Sequence, residues 1–172
     1  MDEITKEMTN VGIAFAILDE GKKAPPGWTK TSAHLVFDVK MDFTRKARWV
    51  KDGHQSPDTT TLAYAGVVSR ESVRMGLTYA ALMDLDVTTA YIQNAYLQAP
   101  SSEKYFIVCG AEFGLDFFGK VALITRALYG GKVSGRDFWH HLRYFTDHLG
   151  FTSYRADPDV WMRADTNPNG EE

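Results

Sequence analysis

The chain has 172 residues, 44% hydrophobic and 24% charged, a globular balance that excludes a disordered or low-complexity polymer. No apolar stretch approaches the ~20 residues needed to cross a bilayer, which argues against a membrane span, and one cysteine, Cys109, excludes internal disulfides and Cys-based zinc sites. The formal charge of −3 argues at face value against nucleic acid, but the acids crowd both ends: residues 21 to 163 keep 18 of the 19 bases and only 14 of the 22 acids.

The amino end, MDEITKEMTN, is acidic and polar where a secretory signal is basic and then apolar, so the expected compartment is intracellular, cytoplasmic or nuclear. Ile4, Met8, Val11, Phe15 and Leu18 have helical spacing and predict a helix over residues 4 to 18, ahead of the breaker-rich loop GKKAPPGW. The period then changes to two. Leu35, Phe37, Val39, Met41 and Phe43 alternate with Val36, Asp38, Lys40 and Asp42, which predicts a strand, a turn near residues 42 to 44, and a return strand through Ala47 and Trp49. The Leu35, Phe37, Val39, Met41 side is expected to pack. The densest positive cluster of the chain runs from Lys40 through Arg45, Lys46, Arg48 and Lys51, and the return strand is expected to expose Arg45 and Arg48.

After the polar segment GHQSPDTTT, Ser69 fits a helix N-cap, Glu71 suits the first turn, and Val73, Leu77, Ala80, Ala81 and Leu82 predict a buried stripe on a helix ending near Met83. The following LDVTTAYIQNAYL is rich in β-branched and aromatic residues and reads as a strand, which would place Asp84 and Asp86 on one face, where a carboxylate pair can hold Mg²⁺ or can simply be solvated. EKYFIVCG and KVALITRAL are two further strands. Ser134 opens a second helix with a stripe of Phe138, Leu142, Phe145 and Leu149, and Gly150 stands at its C-terminal cap. His140, His141 and His148 share that helix without the i, i+3 or i+4 spacing of a metal pair. The tail TNPNGEE is expected to be disordered, leaving one α+β unit over residues 1 to 163.

Five segments in collinear order carry a resemblance: KARWVKDGH, VVSRESVRMGLTYAALMDLDV, YIQNAYLQAP, RALYGGKVSG, and LGFTSYRADPDVWMR. Together they resemble the reverse transcriptases of copia-type retrotransposons over residues 5 to 163. The resemblance implies an α+β fragment of a reverse transcriptase fold, with a fingers hairpin at 33 to 51 and a partial palm, an antiparallel sheet with packed helices, built around the helices at 69 to 83 and 134 to 149. It implies RNA-directed DNA synthesis, templated nucleotidyl transfer with Mg²⁺ as cofactor and an RNA or DNA template and primer as partner. Arg45, Lys46 and Arg48 are then the expected contacts to template or nucleotide phosphates.

Departures from the family pattern fall where its catalysis resides. Ile92, Gln93, Asn94, Ala95, Tyr96 and Leu97 match the positions that follow the family's metal-binding aspartate, and the aspartate's own position is filled by Tyr91. Sliding Asp86 into that position also aligns Ala90 and Tyr91, at the cost of a five-residue shift against the flanking segments, so collinearity favours Tyr91. Gly131, Val133 and Phe138 replace residues usual in the family. The family's second metal motif, an aromatic-x-Asp-Asp turn, is due shortly after VWMR, where this sequence reads TNPNGEE. The resemblance therefore implies a truncated or degenerate copy, inactive alone and without productive Mg²⁺ binding. The alternatives are a non-catalytic nucleic-acid-binding module and a structural relic.

Overall fold

The computed structural model describes residues 3 to 53, 63 and 65 to 164. The chain is a mixed α+β protein that divides into two compact units, one of residues 1 to 64 and 94 to 138, the other of residues 65 to 93 and 139 to 172. No helix among the described residues is long and apolar enough to cross a membrane.

The first unit opens with helix α1 (Glu3–Val11) and a 3₁₀ turn at Gly12–Ala14, followed by strand β1 (Phe15–Ile17). The helix predicted over residues 4 to 18 therefore stops at Gly12, which costs helical backbone roughly 1 kcal/mol relative to alanine. Beyond it Phe15, Ala16 and Ile17 pair with Ile124, Leu123 and Ala122 of β6 (Val121–Ile124) instead. Strand β5 (Tyr105–Val108) runs antiparallel to β6, and β2 (Thr29–Lys30) joins β5 in parallel, so the order is β1-β6-β5-β2 and the sheet is mixed rather than wholly antiparallel. Both strands read from EKYFIVCG and KVALITRAL are present. The core beneath this sheet gathers Val11, Trp49, Leu97, Ile107, Cys109, Ile124 and Leu128. Trp49 meets Phe15 and Phe113 edge to face, with ring centroids 5.1 and 6.0 Å away.

Strands β3 (Ala33–Val39) and β4 (Arg45–Lys51) form the antiparallel hairpin read from the sequence, in the register Ala33↔Lys51 to Val39↔Arg45. Its packing differs from expectation. Leu35 is half-buried against the core, but Phe37, Val39 and Met41 are 64%, 60% and 102% exposed. The hairpin extends past the core that covers its base, and alternation alone cannot tell where that cover ends. At the base, the Lys51 amide donates to the Tyr129 carbonyl at 2.8 Å. Gly130 (φ +80°) and Gly53 lie so close to this crossing that a Cβ on Gly130 would strike the Lys51 carbonyl, and one on Gly53 the Gly130 carbonyl.

In the second unit, helix α2 (Arg70–Leu82) starts as read: Ser69 is its N-cap, accepting from the Ser72 amide at 3.0 Å, and Met83 its C-cap. The expected buried stripe is not buried. Only Ala80 is, while Val73, Leu77 and Leu82 stay 45%, 53% and 78% exposed. Residues 84 to 93 form no strand. Asp84 turns to φ +53°, and Asn94 at φ +51° starts the single helical turn α3 (Ala95–Gln98). No strand among the described residues pairs with this segment, and β propensity without a partner edge does not make a strand. Helix α4 (Ser134–His148) begins in the first unit and continues in the second, ending where Gly150 adopts φ +82°. Leu142, Phe145 and Leu149 on its stripe are also exposed. A short hairpin of β7 (Thr152–Ser153) and β8 (Trp161–Met162) follows. The segment GHQSPDTTT, apart from Gly53, and the tail TNPNGEE lie outside the described residues.

Candidate nucleic-acid interface

The β3–β4 register sorts the basic cluster by face. Side chains alternate along a strand, so Lys46 and Arg48 share one face with His34, Val36 and Asp38, while Arg45 lies on the other with Phe37, Val39 and Ala47. Arg45 is exposed and Lys46 and Arg48 are half-buried. The Arg48 guanidinium stands 3.7 Å from the Asp38 carboxylate, a long, solvated ion pair that leaves much of its charge available. Lys51 is withdrawn from the cluster. It is 4% exposed, its ammonium lies 3.1 Å from Glu103 and 3.4 Å above the Tyr105 ring, and burial pushes its pKa down while Glu103 opposes that shift. The positive surface of the hairpin is therefore Lys40, Arg45, Lys46 and Arg48.

The tip adds aromatic area to this charge. The Phe43 amide donates to the Lys40 carbonyl at 2.9 Å and the Lys40 amide to the Thr44 carbonyl at 3.0 Å, closing a tight turn. The Thr44 amide also donates to Asp42, which holds that carboxyl below its ordinary pKa. Phe43 sits at φ +62°, a costly conformation for a bulky side chain, and is 87% exposed. Exposed Phe37 shares a face with Arg45, Lys46 lies on the other face and Phe43 stands at the tip, so the end of the hairpin offers rings on which bases can stack and cations that can take phosphates.

The residues tied to metal chemistry lie in the second unit. Tyr91 is 84% exposed and Asp86 is exposed, both on the coil of residues 84 to 93. With no strand here, the expected shared face of Asp84 and Asp86 does not exist. Among the described residues, no three His, Cys, Asp or Glu side chains converge as metal ligands. A tyrosine side chain is a poorer ligand than a carboxylate for a hard cation such as Mg²⁺.

Three polar arrangements escaped sequence reading. Asp157 accepts from the Ser69 amide at 2.9 Å and the Ser72 hydroxyl at 2.6 Å, and these bonds lower its pKa to about 2. The Trp139 indole donates to Asp159 at 2.5 Å, and Arg143 lies over both the Trp139 and Trp161 rings at 4.6 and 4.9 Å. The ADPDVW motif is thus a structural brace for α2 and α4. Near the start of α4, buried Asp137 accepts from the Ser102 amide at 2.9 Å and hydroxyl at 3.0 Å, with Arg136 donating to both residues. Cys109 is buried, and burial raises its thiol pKa, which leaves it unreactive. No family model matches the chain, and no solved structure matches it.

Proposed function

We propose that the chain is a fingers and partial-palm homologue of copia-type reverse transcriptases that has kept nucleic-acid binding and lost nucleotidyl transfer. The β3–β4 hairpin carries the reading: one face places Lys46 and Arg48 side by side, the other places Arg45 beside exposed Phe37, and exposed Phe43 stands at the tip between them. Cations of this kind bind phosphates by releasing condensed counterions, and exposed rings accept bases of any sequence. Loss of transfer is supported by Tyr91 standing at the position that the resemblance gives to the family's metal-binding aspartate. No step of the family reaction is assigned to these residues.

The test is fluorescence anisotropy on a labelled primer–template duplex across a salt series. Wild type is expected to bind with a steep salt dependence, and the Arg45→Ala, Lys46→Ala, Arg48→Ala triple variant to bind more weakly with a flatter one, by about one unit of slope for each phosphate no longer neutralised. Unchanged affinity in the triple variant would refute the assignment.

A further inference from the structure

We propose that β3 is a dimerisation edge, pairing antiparallel with β3 of a second copy of this chain about a two-fold axis at Val36. No other strand among the described residues pairs with β3, and five of its seven residues are exposed. An exposed, apolar, seven-residue edge is a template for another strand.

The ladder fixes which registers are possible. The Asp52 amide donates to the Ser32 carbonyl and the Lys40 amide to the Thr44 carbonyl, so even-numbered residues of this strand turn their backbone groups toward β4. Ala33, Leu35, Phe37 and Val39 therefore present theirs at the open edge. Outward groups must face outward groups, so symmetric pairing can be centred on residue 35, 36 or 37, but not between residues. Centring on Phe37 sets His34 opposite Lys40 of the second copy, and centring on Leu35 leaves part of the strand unpaired. Only Val36 uses the whole span from Ala33 to Val39.

That register is self-complementary in side chains. His34 falls opposite Asp38 of the second copy, twice by symmetry. Leu35 falls opposite Phe37, also twice, and joins the exposed apolar residues of both hairpins into one stripe across a four-stranded sheet. In the single chain, the outward Val39 amide donates to the Asp38 carboxylate at 2.9 Å, and pairing would exchange this for the Ala33 carbonyl of the second copy. The released carboxylate oxygen then faces His34, whose Nδ1 is bonded to Asp52 at 2.7 Å and whose Nε2 lies across the ring from that bond.

Cysteine cross-linking tests the register. At Val36 the pair is of the non-hydrogen-bonded type, with Cα atoms about 4.5 Å apart, within the range a disulfide spans. Two copies of residue 38 would be offset by four residues, about 14 Å. Under mild oxidation, Val36→Cys is expected to give a covalent dimer on non-reducing electrophoresis, while Asp38→Cys and wild type, which share buried Cys109, do not. Wild type is expected to sediment as a dimer that dissociates on dilution. Phe37→Pro, which removes an outward amide and no bond to β4, is expected to lose the dimer with an unchanged far-ultraviolet spectrum. Equal cross-linking of the two cysteine variants, or a wild type that is monomeric throughout, overturns the proposal; the latter is also the outcome if another protein supplies the pairing strand.

Discussion

Asp157 shows how one side chain fixes an element to the rest of its unit. It accepts from both the Ser69 amide and the Ser72 hydroxyl at the start of α2, so its charged form is favoured and its pKa falls to about 2. A carboxyl depressed in the folded state stabilises above its unfolded value, near 3.9, and that contribution is lost as pH drops through about 2. The Ser69 amide resonance should therefore titrate with a midpoint near 2, and Asp157→Asn should abolish that step; a midpoint near 4 would contradict the bond. Glycines give a second residue-scale contrast. Gly76 in α2 has open space where a methyl group would stand, whereas Gly130 has a left-handed backbone packed on Lys51. Gly76→Ala should raise the urea midpoint by the equivalent of roughly 0.5–1 kcal/mol. Gly130→Ala should lower it by at least the roughly 1–2 kcal/mol that left-handed backbone costs an L-residue.

Among the elements, the hairpin carries charge of two kinds. Lys46 is half-exposed on the face it shares with Arg48, and Lys51, also on β4, is buried against Glu103 and Tyr105. Lys46→Ala should weaken duplex binding and reduce the salt slope by about one with little change in stability. Lys51→Ala should do the reverse, because it leaves Glu103 without its cation. Comparing anisotropy with thermal denaturation for the two variants separates the roles. The basic run itself was legible in the sequence, but this division was not, since Glu103 is remote from Lys51 along the chain. Ser69, Gly150, the hairpin and strands β5 and β6 were legible because caps, turns and period-two alternation act locally. Residues 84 to 93 were misread for the opposite reason: their β-branched composition fits a strand, but a strand exists only where an edge is offered.

At the scale of the whole molecule, the apolar stripe of α2 was expected to be buried and is largely exposed, as are Leu142, Phe145 and Leu149 on α4, because periodicity marks a face without naming what covers it. Ordering of the candidate site was likewise only half visible. The hairpin cations could be found by composition, whereas the fate of the metal position rested on aligning Tyr91 or Asp86, both now seen on exposed coil. The proposed function joins these parts as a phosphate-binding hairpin alongside a tyrosine at the position that the resemblance gives to a metal-binding aspartate. It requires that binding and catalysis come apart in a single sample. The most direct measurement is primer extension with Mg²⁺ or Mn²⁺ on purified protein, at a concentration where anisotropy shows the primer–template bound. The expected result is a bound, unextended primer; templated extension that is abolished by Asp86→Asn would contradict the account and make Asp86 the metal ligand.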